Sequence, residues 1–181
     1  MNVSDYFGKM KGSTQSPPGV SLAEIGWSWL GSFLGIAAVG AIHVFLLQRS
    51  DLVMIIGSFG ASAVLVYGAI KSPLAQPRNL LGGHVFSAVI GVMAYKAILN
   101  EPWLAGAVAV SPAIAFMHAT KTLHPPGGAT ALIAVIGSVR IHDLGYLYAL
   151  VPAGLGATVM LLIALLVNNI PKNRRYPEFW I

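Results

Sequence analysis

Six stretches without an interior charge divide the chain, at roughly residues 26–47, 52–70, 80–98, 103–120, 127–139 and 144–168, with Lys96 near the end of the third. Polar segments flank them at residues 1–24 and 171–181, leaving 25–170 as one apolar domain. A helix crossing a bilayer needs about 20 residues at 1.5 Å rise each. The fifth stretch is too short for an ordinary span unless the unwound residues before it cover part of the depth. The second is long enough, but Gly57-Ser-Phe-Gly60 interrupts it midway. Pro112 and Pro152 predict kinks in the fourth and sixth. Ahead of the first run, Gln15-Ser-Pro-Pro-Gly19 reads as a turn and Ser21-Leu-Ala-Glu24 as a capping box.

Composition sharpens this into an all-α polytopic transmembrane bundle. The 181 residues are 56% hydrophobic and 9% charged, with mean hydropathy +0.73, whereas soluble domains carry about 25% charged residues. Twenty glycines and eleven prolines fit close helix packing and interrupted helices. The formal charge of +5 reflects scarce acids, and the basic residues are scattered, so nucleic acid is not an expected partner. With no cysteine there is no disulfide, thiolate metal site or cysteine nucleophile. The first apolar run is too long for a signal-peptide core, and no organelle-type leader is present. The bacterial plasma membrane is therefore the expected location.

The most telling cluster is Thr122-Leu-His-Pro-Pro-Gly-Gly128, which breaks the helix and leads straight into an apolar run. In lipid, every interrupted backbone hydrogen bond needs a partner inside the protein or in a wet cavity. A short helix starting there aims its amides and positive dipole end at whatever lies in front. The other interruption is similar: Phe59-Gly-Ala-Ser-Ala-Val-Leu65 aligns with Gly127-Gly-Ala-Thr-Ala-Leu-Ile133. Two repeats of three segments follow, about 26–98 and 103–168. Three crossings per repeat turn the second copy upside down, a recurring transporter plan. The alternative is that two glycine-rich helices simply share a composition.

Charge placement supports six crossings. With the N-terminus inside, Lys9, Lys11, Lys71, Arg78, Lys121, Lys172, Arg174 and Arg175 fall on the cytoplasmic side, against Arg49, Lys96 and Arg140 outside. This is the asymmetry that the positive-inside rule expects. On this basis residues 1–24 and 171–181 are cytoplasmic.

The strings Gly57-Ser-Phe-Gly-Ala-Ser62, Ser72-Pro-Leu-Ala-Gln-Pro-Arg-Asn79, Gly82-Gly-His84 and Leu123-His-Pro-Pro-Gly-Gly-Ala-Thr130 resemble the HPP family of integral membrane proteins, named for a triplet that stands here at His124 to Pro126. The likeness covers roughly residues 25–180. It implies a membrane protein of a family found in bacteria and in chloroplast envelopes. Some members are implicated in moving nitrite, and the family is usually described with four spans rather than six.

Residue chemistry and resemblance meet at a small inorganic anion, with nitrite the substrate that the resemblance implies. The candidate site comprises Ser58, Gly60, Ala61 and Ser62 at the first break, and Gly127, Gly128, Ala129 and Thr130 at the second. Gln76, Arg78 and Asn79 add donors between the second and third segments, and His84 and His124 add groups able to donate or to carry a proton. Each has a plainer reading: glycines for helix packing, Arg78 as a topology-setting loop charge, and the two histidines as caps or packing groups. So small a chain with two thin repeats is expected to form a homo-oligomer.

Enzymatic readings find little support. The acids Asp5, Glu24, Asp51, Glu101, Asp143 and Glu178 all lie in tails or at segment ends, and no nucleophile–base spacing or nucleotide motif occurs. No cofactor is expected, and no carboxylate or thiolate recurs at zinc-ligand spacing. Two rivals remain: a redox protein using His43, His84 or His118 as haem ligands, and a non-transporting scaffold. His142 beside Asp143 reads as a loop residue.

Overall fold

The first helix starts where the sequence places it. In this computed structural model, which describes residues 9–11, 16, 18–47 and 52–181, Ser21 Oγ accepts the Glu24 amide at 3.2 Å and opens α1, Leu22–Ile42. Wider turns carry α1 on to Leu47. The Glu24 carboxylate stands 3.5 Å from Arg174 Nη2. Residues near the two ends of the described chain thus meet at one end of the bundle, as an even number of crossings requires. Arg49, Asp5, Asp51 and, from the Gln15–Gly19 turn, Gln15 and Pro17 lie outside the described residues.

The other helices are α2 (Ser58–Ala63, prolonged by wide turns over Val64–Gly68), α3 (Pro77–Ala97), α4 (Pro102–Ala119), α5 (Pro125–Ile136), the short α6 (Val139–Leu144) and α7 (Leu155–Val167). Helices α3, α4 and α5 each place a proline at the first or second helical position, where its missing N–H costs no intrahelical bond. Among the described residues, four helical stretches are long and apolar enough to cross a membrane: Leu22–Leu47, Pro77–Ala97, Pro102–Ala119 and Val139–Val167. Ser58–Gly68 and Pro125–Ile136 are not. Both counts suggested by the sequence thus describe one structure: four long helices, with two short ones between them.

One detail departs from expectation. The second segment has no helix before Ser58. Residues 52–56 have no regular secondary structure, with Met54 and Ile56 buried and Ile55 exposed, and Gly57 already takes helical dihedrals. Helix α4 continues through Pro112, whereas the last segment does break near Pro152. There Val151 lies at φ −135°, ψ 117°, the extended region that a following proline favours.

Helix α1 packs on α7 and α3 on α4; α1 also packs on α2, and α4 on α5. Helix α3 lies mainly against α5. Grooves made by glycine seat the large rings of α2. The Tyr67 ring fills the places where side chains at Gly31 and Gly35 of α1 would be, and Phe59 does the same at Gly156 of α7. Tyr67 also donates its hydroxyl to the Met160 carbonyl at 2.9 Å.

The last carbonyls of α2 are capped from the C-terminal side. Asn168 Nδ2 donates to Val66 O and Arg174 Nη2 to Tyr67 O, each at 2.9 Å. Burial lowers the pKa of the Arg174 guanidinium, while Glu24 opposes that shift. The tail continues to Tyr176, whose hydroxyl donates to Ala75 O at 2.8 Å. At the opposite end Tyr95 stacks on His142, whose Nε2 donates to Val135 O at 3.0 Å, and Lys96 lies over the Tyr146 ring. His142, read from sequence as a loop residue, is thus in α6 and bound at that end.

Candidate functional site

The two short helices run antiparallel and overlap side by side. Ser58 at the start of α2 faces Thr130 in the second turn of α5, while Ser62 faces His124, which precedes α5. Their starts are offset along the seam rather than meeting tip to tip. Three glycines set the depth of this contact. A Cβ at Gly127 would lie 2.6 Å from the Gly83 carbonyl oxygen, one at Gly83 would strike His124 Cβ, and one at Gly91 would meet the Ala131 backbone. Helices α3 and α5 therefore touch backbone to backbone, which brings His84 and His124 to a ring separation of 5.2 Å.

The result is a continuous chain of polar atoms. His84 Nδ1 is 2.7 Å from Thr130 Oγ1, and His84 Nε2 is 2.7 Å from Ser62 Oγ. Ser62 Oγ is in turn 3.0 Å from His124 Nε2, and His124 Nδ1 donates to the Leu74 carbonyl at 2.8 Å. Thr130 Oγ1 also lies 2.9 Å from Ser58 Oγ and 3.1 Å from Pro126 O. Ser62, His84, His124 and Thr130 are 0% exposed and Ser58 1%. The two hydroxyls matched by the repeat, Ser62 and Thr130, meet on one imidazole. Measured along α3, the site lies about 10 Å above Pro77, one third of the helix from the end where Glu24 meets Arg174.

The other expected site residues are placed elsewhere. Gly60 and Ala61 are on the exposed face of α2, turned away from Ser58 and Ser62. The short-helix amides are spent in their own first turns: Phe59 N binds Ile56 O, Gly60 N binds Gly57 O, and Gly127 N binds His124 O. Side chains, rather than the amides foreseen, supply the polar atoms of the seam. Gly127 is packing, while Gly128 and Ala129 line an apolar groove of about 460 Å³ with Val110, Ile114 and Leu132. Gln76 and Asn79 brace backbone: Gln76 Nε2 donates to Ile70 O and Ser72 O, and Asn79 Nδ2 donates to Leu123 O. Arg78 is half-buried in the first turn of α3, about 120° round the helix from His84. Of the haem-ligand candidates, His118 faces outward on α4, and both ring nitrogens of His84 are held by hydroxyls.

Three contributors carried no sequence signal. Phe59 packs edge-on against His84 at 5.2 Å, the Leu74 carbonyl anchors His124, and Tyr148 donates to Thr130 O at 3.0 Å. A backbone carbonyl has no signature, and Tyr148 reads as one more apolar-segment aromatic.

A family profile described as HPP, transmembrane region, matches residues 17–177. Two transmembrane proteins of Dictyostelium discoideum are similar. One is 49% identical over 97% of this chain and 57% of its own length. The other is 46% identical over 99% of this chain and 65% of its own. The chain thus spans less than two thirds of either relative. No solved structure matches.

Proposed function

The chain belongs to the HPP family of transmembrane proteins, and from that premise we propose that it carries a small inorganic anion across its membrane, with nitrite the leading substrate. The observation behind the proposal is the convergence of Ser62 and Thr130 on His84, with His124 alongside, inside a bundle of four long apolar helices. Neutral hydroxyl and imidazole donors on two antiparallel half-helices suit a monoanion that must be released as readily as it is bound. In the closed seam these donors satisfy one another. Transport therefore requires α2 and α5 to part, exchanging protein–protein hydrogen bonds for protein–anion ones.

The test is nitrite uptake into proteoliposomes, corrected for leak into protein-free vesicles. Thr130→Val and His124→Ala should each lower the flux about tenfold, which corresponds to about 1.4 kcal/mol per lost interaction. Both variants must remain monodisperse. Unchanged flux in both would remove the seam from the path, and no flux in the parent protein would remove the transport reading.

One observation favours the scaffold alternative: the cluster is fully hydrogen-bonded, as a rigid structural network would be. A scaffold predicts no flux for any of nitrite, nitrate, formate and chloride. The similar proteins come from Dictyostelium, so the expected bacterial plasma membrane gains no support from them. A homo-oligomer remains part of the proposal, to be checked by mass measurement in nanodiscs.

A further inference from the structure

The direction of each hydrogen bond in the seam is dictated by one end. Leu74 O can only accept, so His124 Nδ1 carries a proton. If His124 is neutral, its Nε2 is a bare acceptor and must receive the Ser62 hydroxyl proton. Ser62 Oγ, having given away its single hydrogen, then accepts from His84, which fixes that proton on His84 Nε2. His84 Nδ1 is left bare and accepts from Thr130. A neutral cluster therefore has a single consistent polarity, with every donor pointing from Thr130 toward His124.

The reverse polarity differs by one added proton. If Thr130 donates to Pro126 O or Ser58 Oγ, both within reach, then His84 carries its proton on Nδ1 and accepts from Ser62. Ser62 accepts from His124 Nε2, and His124 still donates from Nδ1 to Leu74. In that state His124 holds two protons and is a cation. The charge-neutral groups facing the two imidazoles are Phe59 and Ser62 from α2, Thr130 from α5 and the Leu74 carbonyl; the only titratable group described next to either imidazole is the other imidazole.

We propose that Thr130, His84, Ser62 and His124 form a one-way proton relay that ends on His124 and loads it for co-transport. A hydronium ion that reaches Ser58, at the far end of the hydrogen-bonded chain from the Leu74 carbonyl, passes a proton to the Ser58–Thr130 pair. Thr130 hands its own proton to His84 Nδ1, His84 releases the one on Nε2 to Ser62, and Ser62 releases its own to His124 Nε2. Each relay group receives one proton and gives one, so His124 gains a single positive charge and water is the by-product. The carbonyl beyond His124 accepts no proton, so the charge stays there until the seam opens. That the charge accompanies an anion rests on the transport reading; the relay itself does not.

The experiment is nitrogen NMR on the whole protein in lipid nanodiscs with ¹⁵N-labelled histidine, resonances being assigned by their loss in His84→Gln and His124→Gln. At alkaline pH the relay requires the proton on Nε2 of His84 and on Nδ1 of His124. On acidification His124 should become doubly protonated, and in the same step the His84 proton should move to Nδ1 while His84 stays neutral. A purely structural network has no reason to couple the two. Opposite starting tautomers, or His84 keeping its Nε2 proton as His124 charges, would overturn the relay. In vesicles, the ratio of nitrite uptake with and without an acid-outside gradient should fall to one in His84→Gln, whatever the basal rate. A coupled tautomer switch without nitrite flux would leave the relay standing and discard the cargo. Flux without the switch would do the opposite.

Discussion

Replacing Ser62 by alanine tests the seam most directly, because one oxygen serves both histidines. The change removes a single atom from a fully buried site, so loss of packing is small. It leaves His84 Nε2 and His124 Nε2, previously 2.7 and 3.0 Å from Ser62 Oγ, without that partner. An unsatisfied buried polar group in a soluble protein costs about 1–3 kcal/mol. In a membrane the average interhelical hydrogen bond contributes only about 0.6 kcal/mol, with a maximum near 1.7, because the separated helices find other partners. Ser62 loses two such bonds in a site held shut by backbone contact at Gly83, Gly91 and Gly127, so values toward the upper end apply. The expected loss is about 1–3 kcal/mol, read as a lower midpoint in reversible unfolding by a denaturing detergent. Thr158→Ala is the reference. Its exposed hydroxyl only bonds the Gly154 carbonyl on its own side of the bundle, and it should shift stability by under about 0.5 kcal/mol. If Ser62→Ala behaves like Thr158→Ala, the two histidines are not held by Ser62 and the closed seam is wrong.

Further outcomes follow from the same contacts. Gly83→Ala should destabilise by several kcal/mol, because the new methyl meets His124 Cβ and the Thr122 carbonyl at 3.2 Å, overriding the helix-propensity gain of about 1 kcal/mol. Gly60→Ala has nothing within 4 Å of the new methyl and should stabilise the isolated chain by up to about 1 kcal/mol in the same unfolding assay. Burial raises the pKa of the Tyr176 phenol above its ordinary value of 10.0. Its contribution to docking the tail is therefore complete below that value and fades as pH climbs past it, where an undocked phenol ionises first. Protease cleavage after Arg175 should accelerate in that alkaline window in the parent protein, and Tyr176→Phe should abolish the pH dependence while raising cleavage at neutral pH.

Much of the architecture was legible from patterning, because a membrane imposes few rules and the chain obeys them. Lipid penalises exposed backbone and buried charge, so most of the long uncharged runs had to be helical. The clustered breakers at Gly57–Gly60 and His124–Gly128 had to be places where the regular spans are interrupted, and each opens a short helix. The shared Gly-Ala-(Ser/Thr)-Ala string marked the two positions whose hydroxyls, Ser62 and Thr130, meet on His84. Tertiary contact decided the rest. A sequence states that Gly83, Gly91 and Gly127 lack side chains, but only the fold shows their backbones pressed together. That contact closes the gap between His84 and His124. The first-turn amides of the short helices bond locally, leaving side chains to line the seam. Facing is a property of which helices pack and at what depth, and the largely apolar pattern around α2 and α5 does not encode it. The polarity of the histidine chain hangs on the Leu74 carbonyl, a backbone atom that every residue possesses and that no sequence can single out.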